Sequence, residues 1–124
     1  MGTFSVELEI GDPKGERFET VDVVVDTRAS FAVFPAGLLN SLGVTATDRQ
    51  HFVLPDGRIV ENDVAQTWMR IGGRTEIAAV VFAEETARPM IGFVTLQEFG
   101  LAVDPSGRRL ISVPGYLMAR KVVA

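Results

Sequence analysis

The residues with the most chemical capacity in this chain follow a run of valines: Asp26, Thr27, Arg28, Ala29 and Ser30 close the segment "VDVVVDTRAS". A carboxylate delivered by an apolar strand has the makings of a general acid or base. Asp and Thr also end strands as plain turn residues, so one Asp-Thr pair fits either role. Other chemistries lack their parts. The chain has no cysteine, which removes a thiolate nucleophile, a disulfide framework and a Cys-type zinc site. His51 is the only histidine, with no second histidine or cysteine to complete a metal site, and reads as a surface or strand-end residue. Gly72-Gly73 lacks the following lysine of a phosphate loop and reads as a hairpin turn. Glu84-Glu85 reads as a solvated loop, and Arg108-Arg109 is too small a patch for a polyanion. Trp68 and Tyr116 read as isolated core or interface anchors.

The elements that must position Asp26 are mostly strands. "TFSVELEI" alternates Phe4, Val6, Leu8 and Ile10 with polar partners, the pattern of a strand buried on one face. After the turn "GDPKGE", the run "RFETVDVVVD" ends in consecutive valines and suits a strand covered on both faces. The two make a hairpin. "PAGLLNSLGV" predicts a short helix with Pro35 at the first helical position and Gly43 as its stop. "HFVLPDGRIVEN" predicts a hairpin about Pro55, Asp56 and Gly57, and "QTWMRI" with "TEIAAVVFA" predicts a second. "FVTLQEFG" places Val94, Leu96 and Phe99 on one helix face, closed by Gly100. "LAVDPSGRRLISV" is a last hairpin, in which Asp104 is a turn residue, and "GYLMARKVVA" is a terminal strand or a frayed tail. The sum is a mostly β fold, a small closed or half-closed barrel with one or two short helices.

At 124 residues the chain, 1–124, is expected to form a single domain with a real core. Its 12 basic residues are scattered and outnumbered by 16 acidic ones, so a nucleic-acid partner is not expected. No apolar run reaches the length of a membrane helix, and no basic start leads into a long apolar stretch, so a membrane partner is not expected either. The expectation is a soluble protein, cytoplasmic rather than secreted.

An apolar strand followed by Asp-Thr-x-Ala-Ser and a second apolar stretch resembles the active-site loop of the retropepsin-like aspartic proteases, single-domain relatives of pepsin. "FVLPDGRIVE" resembles their flap hairpin, and "RPMIGFVTLQEFGLAVDPSGRRL" resembles their later block, in the same order along roughly residues 4–113. The resemblance implies an acid-protease-type barrel and an aspartic endopeptidase that needs no cofactor or metal. Metal-free hydrolysis of a peptide bond requires a base to take a proton from water and an acid to give one to the amide. Two close carboxylates sharing one proton supply both, because like charges that near do not both ionise readily. With one Asp-Thr loop per chain, the resemblance implies a homodimer in which Asp26 meets Asp26 of a second copy across a twofold axis, with terminal strands such as 3–10 and 113–123 pairing there. It also implies that Thr27 cross-braces the two loops and that Ala29 and Ser30 keep the loop tight. Pro55, Asp56 and Gly57 become the flap tip over an extended peptide, and Met90, Ile91 and Gly92 pack behind the loop.

Arg28 departs from the family, which carries glycine there. If the position requires a positive φ, arginine costs on the order of 1–2 kcal/mol. A guanidinium beside the dyad also favours ionising both carboxylates, which removes the acid's proton. Two readings follow: a working endopeptidase in which Arg28 points away from Asp26, and a peptide-binding pseudoprotease that keeps cleft and flap but does not cut. A third is an unrelated β barrel in which Asp26 only ends a strand.

Overall fold

Alternating apolar residues and a valine run build the first hairpin of the computed structural model, which describes residues 3–118. Strand β1 (Phe4–Gly11) buries Leu8 and Ile10 and exposes Ser5 and Glu7. Strand β2 (Phe18–Val25) buries Val23, Val24 and Val25 in succession, as a strand covered on both faces must. The pair runs antiparallel from Phe4↔Val25 to Gly11↔Phe18. Asp12 fixes the turn, its Oδ1 accepting from the backbone N–H groups of Glu16 at 2.7 Å and Arg17 at 2.8 Å.

The chain continues through β3 (Ala32–Pro35), α1 (Ala36–Ser41), β4 (Asp48–Val53), β5 (Ile59–Ile71), β6 (Arg74–Ala83), β7 (Met90–Ile91), α2 (Phe93–Glu98), β8 (Leu101–Val103) and β9 (Leu110–Ser112). The main sheet has the order β1-β2-β7-β3-β6-β5-β4. Because β1 also pairs with β5 at Glu9↔Arg70 and Ile10↔Met69, the sheet returns on itself as a ring, with β4 hung on the outer side of β5. The seam is braced. The Thr67 hydroxyl, buried, donates to the Gly11 carbonyl at 2.7 Å. Arg70 lies 3.2 Å from the Glu9 carboxylate and 4.1 Å from the centre of the Phe18 ring. Inside the ring Ile10, Val23, Phe34, Leu39, Met69, Val80, Ile91 and Phe99 are buried, so truncating Phe34 to alanine costs about 3–5 kcal/mol.

Local signals account for the helix ends. Gly43 and Gly100 take left-handed φ values of 78° and 64° just past α1 and α2. Pro35, expected at the first helical position, stands one residue before it: it ends β3 and is the N-cap of α1, with φ −55° and ψ 138°. Glu84 and Glu85 lie in an exposed loop as expected, and Glu85 also accepts from the Gly37 N–H at 2.7 Å, satisfying one of the free donors of that helix start.

The two central hairpins share a strand. β5 pairs with β4 from Ile59 to Val64 and with β6 from Val64 to Ile71, so Val64 faces Asp48 on one side and Val81 on the other. β8 and β9 form a separate two-stranded sheet. Their turn is held by Asp104, which accepts from the Ser106 N–H at 2.9 Å and Arg109 Nε at 2.6 Å, a structural role. The expected terminal strand 113–123 does not form over 113–118, and the rest of it lies outside the described residues. Tyr116 is 95% exposed, so it anchors no core within this chain. No helix among the described residues is long and apolar enough to cross a membrane.

Candidate functional site

Asp26 is the first residue beyond β2, and the short strand β7 fixes where it sits. β7 lies between β2, to which Ile91 is paired opposite Val25, and β3, where Met90 faces Val33. The Asp26 N–H donates to the Ile91 carbonyl at 3.1 Å, which extends that pairing by one step. The loop then folds tightly, with the Ala29 N–H donating to the Asp26 carbonyl at 3.0 Å. Its far side is fastened to the start of α2, where the N–H groups of Phe93 and Val94 donate to the carbonyls of Ala29 and Ser30, each at 3.0 Å.

Gly92 makes that fastening possible. A Cβ at this position would press on the Ala29 carbonyl and lie 2.6 Å from the Ser30 carbonyl oxygen. Its φ of −113° is open to any residue, so the requirement is room for backbone against backbone rather than an unusual dihedral.

The Asp26 side chain is 12% exposed and fully engaged by Arg28. Its Oδ1 accepts from the backbone N–H of Arg28 and from Arg28 Nε, both at 3.0 Å, while Oδ2 accepts from Nη2 at 2.7 Å. This hydrogen-bonded guanidinium holds the Asp26 carboxyl below the usual carboxylate range, against the opposite pull of partial burial. The structure shows neither the positive φ nor the outward-pointing side chain weighed for position 28. Arg28 does not adopt a positive φ, since no non-glycine residue among those described does, so no backbone strain attaches to it. Nor does it point away from Asp26, because the Asx-type turn brings its guanidinium back over the carboxylate it follows by two residues. The guanidinium remains 85% exposed.

A groove of about 620 Å³ opens between the end of this loop and the hairpin formed by β4 and β5. Arg28, Ala29, Ser30 and Phe31 form one wall, and residues of the hairpin arms such as Phe52 and Leu54 form the other. Asp26 and Thr27 do not line the groove; they border a smaller cleft of about 220 Å³ beside Phe4 and Val103. Among the described residues Arg28 alone lines both hollows. Thr27 is exposed, and among the described residues its hydroxyl has no hydrogen-bond partner within the chain.

The hairpin turn is closed by the Gly57 N–H donating to the Leu54 carbonyl at 2.8 Å, with Gly57 at φ 89°. Pro55, Asp56 and Gly57 form the tip as expected but stand clear of the groove, and it is the arms that border it. Three contributors were not singled out by sequence. Phe31 and Phe52 meet edge to face, centroids 6.0 Å apart at 89°, and tie the Asp26 loop to the hairpin arm. Asn62 Nδ2 donates to the Phe82 carbonyl at 3.0 Å and steadies the other arm. The available signal was the apolar Phe52 between His51 and an outward Val53: in β4 it is the one residue that is not exposed.

Of the residues that line the groove Arg28 alone carries a formal charge, and no carboxylate lines it. Among the described residues no three His, Asp or Glu side chains stand together as a metal-binding set. Neither a protein-family model nor a curated protein matches the chain.

Proposed function

We propose that this chain is one subunit of a homodimeric aspartic endopeptidase of retropepsin type, in which Asp26 from each of two copies forms the reacting pair. The observation that carries this reading is the groove bounded by the Asp26 loop on one side and the β4–β5 hairpin on the other, the two segments whose sequences resemble the family's catalytic loop and flap. The ring-shaped sheet is compatible with an acid-protease-type barrel. An extended peptide laid in such a groove finds apolar walls for its side chains and strand edges for its backbone.

In that dimer one carboxylate takes a proton from water as the water oxygen attacks the peptide carbonyl carbon. The other carboxyl group gives its proton to the amide nitrogen as the C–N bond breaks, and the pair is left again holding one proton between two acids. The bidentate Arg28 contact opposes this chemistry by keeping Asp26 ionised. The arginine has to move for the pair to work; its own side chain is 85% exposed, and its departure leaves the 12%-exposed Asp26 carboxylate with the backbone N–H of Arg28 as its remaining donor.

That same contact is the specific observation in favour of a second reading, a peptide-binding dimer that does not cut. Incubation of the purified chain with unfolded casein, followed by mass spectrometry of the fragments, separates the two. The endopeptidase reading expects cleavage that is lost in Asp26→Asn, falls steeply on dilution as dimers dissociate, and rises in Arg28→Gly. Casein left intact by both the native chain and Arg28→Gly, while the native chain retains peptide binding, establishes the second reading instead.

A further inference from the structure

We propose that Arg28 is the specificity-determining residue of the groove, and that it selects peptides carrying a carboxylate by exchanging its ion pair from Asp26 to the bound peptide. The inference rests on the peptide-groove reading above but not on cleavage.

The placement of Arg28 makes the case. Among the described residues it alone lines both the groove and the smaller cleft that Asp26 borders, so it stands between them. Its guanidinium is 85% exposed, and among the described residues Asp26 is its only charged partner. A planar fork of this kind accepts one carboxylate in two-point contact, and a second carboxylate of the same geometry competes for the same donors. The groove walls near it are apolar and carry no acid, so a peptide carboxylate entering there meets attraction without opposing charge. A lysine or arginine in the same place meets Arg28 and, beyond it, a carboxylate already neutralised.

The exchange links recognition to release. When the peptide takes the guanidinium, Asp26 loses the donors of Nε and Nη2 and keeps only the backbone N–H of Arg28. The carboxylate is then uncovered only when an acidic peptide is seated. A neutral peptide of the same shape leaves the pair closed. Arg28 thus acts as a latch opened by its ligand, which gives the departure from glycine a function instead of a defect.

Direct binding tests this without any turnover. Fluorescein-labelled octapeptide pools, blocked at the C-terminus as amides, carry Ala, Val, Leu or Phe at all positions except one central Glu, Gln or Lys; a fourth, all-apolar pool has a free C-terminal carboxylate. Fluorescence polarisation on the native chain is expected to show the Glu pool bound at least tenfold more tightly than the Gln pool, with the Lys pool weakest. Tight binding of the fourth pool assigns the carboxylate to a chain terminus rather than a side chain. Arg28→Gln should bring the Glu and Gln pools to equal affinity. Asp26→Asn should tighten the Glu pool several-fold over the native chain, because the internal competitor is gone; simple charge attraction predicts no such gain. Equal binding of the Glu, Gln and free-carboxylate pools by the native chain, or no gain in Asp26→Asn for the carboxylate pool that binds tightest, overturns the proposal. Cleavage of casein without any preference for acidic sites overturns it too, while leaving the endopeptidase standing.

Discussion

Asp26-Thr27-Arg28 and Asp56-Gly57-Arg58 follow one local plan. In each, the aspartate accepts from the backbone N–H of the arginine two residues on, at 3.0 Å, and the guanidinium closes back onto the same carboxylate at 2.7 Å. The surroundings differ: the Asp26 side chain is 12% exposed and the Asp56 side chain 55%. The cause that dominates each acidity differs as well. Asp26 is held down first by the Arg28 side chain, whereas Asp56 is held down first by the Arg58 backbone N–H. The clamp is therefore a habit of the Asp-x-Arg spacing. What sets the first apart is that its carboxylate is largely shielded and borders a cleft with Phe4, Val25 and Val103, whereas the second stands at an open hairpin tip.

The largest separation between the two turns is expected in activity. Asp26→Asn should lower casein cleavage by on the order of 10²–10⁴-fold, the range of a lost acid or base. Asp56→Asn should leave it within about threefold, since that carboxylate touches no reacting group on this reading. Equal losses in both would abolish the distinction.

Next in size is backbone fit. Gly92→Ala drives a methyl into the Ala29 and Ser30 carbonyls, and backbone there yields poorly, so denaturant unfolding should show a loss of about 1–3 kcal/mol. Gly57→Ala at the other turn meets open space but keeps φ 89°, and should cost on the order of 1–2 kcal/mol through the left-handed conformation alone. The sharper contrast is in function: the first change should disable the Asp26 loop along with stability, the second only the hairpin tip.

A smaller effect concerns acid. Asp26 has a folded-state value below its ordinary 3.8, so its contribution to stability is present above that pH and is lost as pH falls through the folded value. Arg28→Gln should therefore flatten the acid limb of a stability-against-pH curve, and Arg58→Gln should flatten it less. Glu98 supplies the opposite sign. Burial pushes its carboxyl above the ordinary 4.5, and its Oε1 has no hydrogen-bond partner among the described residues. Its favourable contribution is present below 4.5 and is lost as pH rises through the raised folded value. Glu98→Gln should stabilise the chain above that range and leave it unchanged at lower pH, as read by thermal melts from pH 3 to 8.

The smallest shift is expected at Glu85. Its replacement by alanine removes one acceptor from an exposed helix start and should cost about 0.5–1 kcal/mol in the same melts.

These contrasts also mark where the sequence was legible. Elements specified by neighbours along the chain were readable: the alternation of Phe4 to Ile10, the valines before Asp26, the turn at Gly57, and the glycines that stop both helices. Elements specified by distant partners were not. β7 is only Met90 and Ile91, too short for a periodicity, and becomes a strand because β2 and β3 flank it. The seam at Glu9↔Arg70 and the contact of Phe31 with Phe52 join segments that share no local signal. Glu85 is in the exposed loop its sequence suggests, but nothing near it in sequence names Gly37 as its partner. At the candidate site the placement of Asp26 at the end of β2 was visible, but the side-chain torsions that fold Arg28 over it were not. Whether an exposed arginine turns inward or outward depends on the local hydrogen-bond geometry rather than on residue type.

The continuity of β5 has a mechanical consequence. A hairpin hung on a loop swings about a few freely rotating bonds, but here the arm from Ile59 runs without interruption into the strand that reaches the seam at Arg70. Any lifting of the tip is thus flexure of a leaf spring clamped in the wall of the ring, spread over many residues and restored by the ladder to β6. The width of the groove is therefore tied to the stiffness of its hairpin wall.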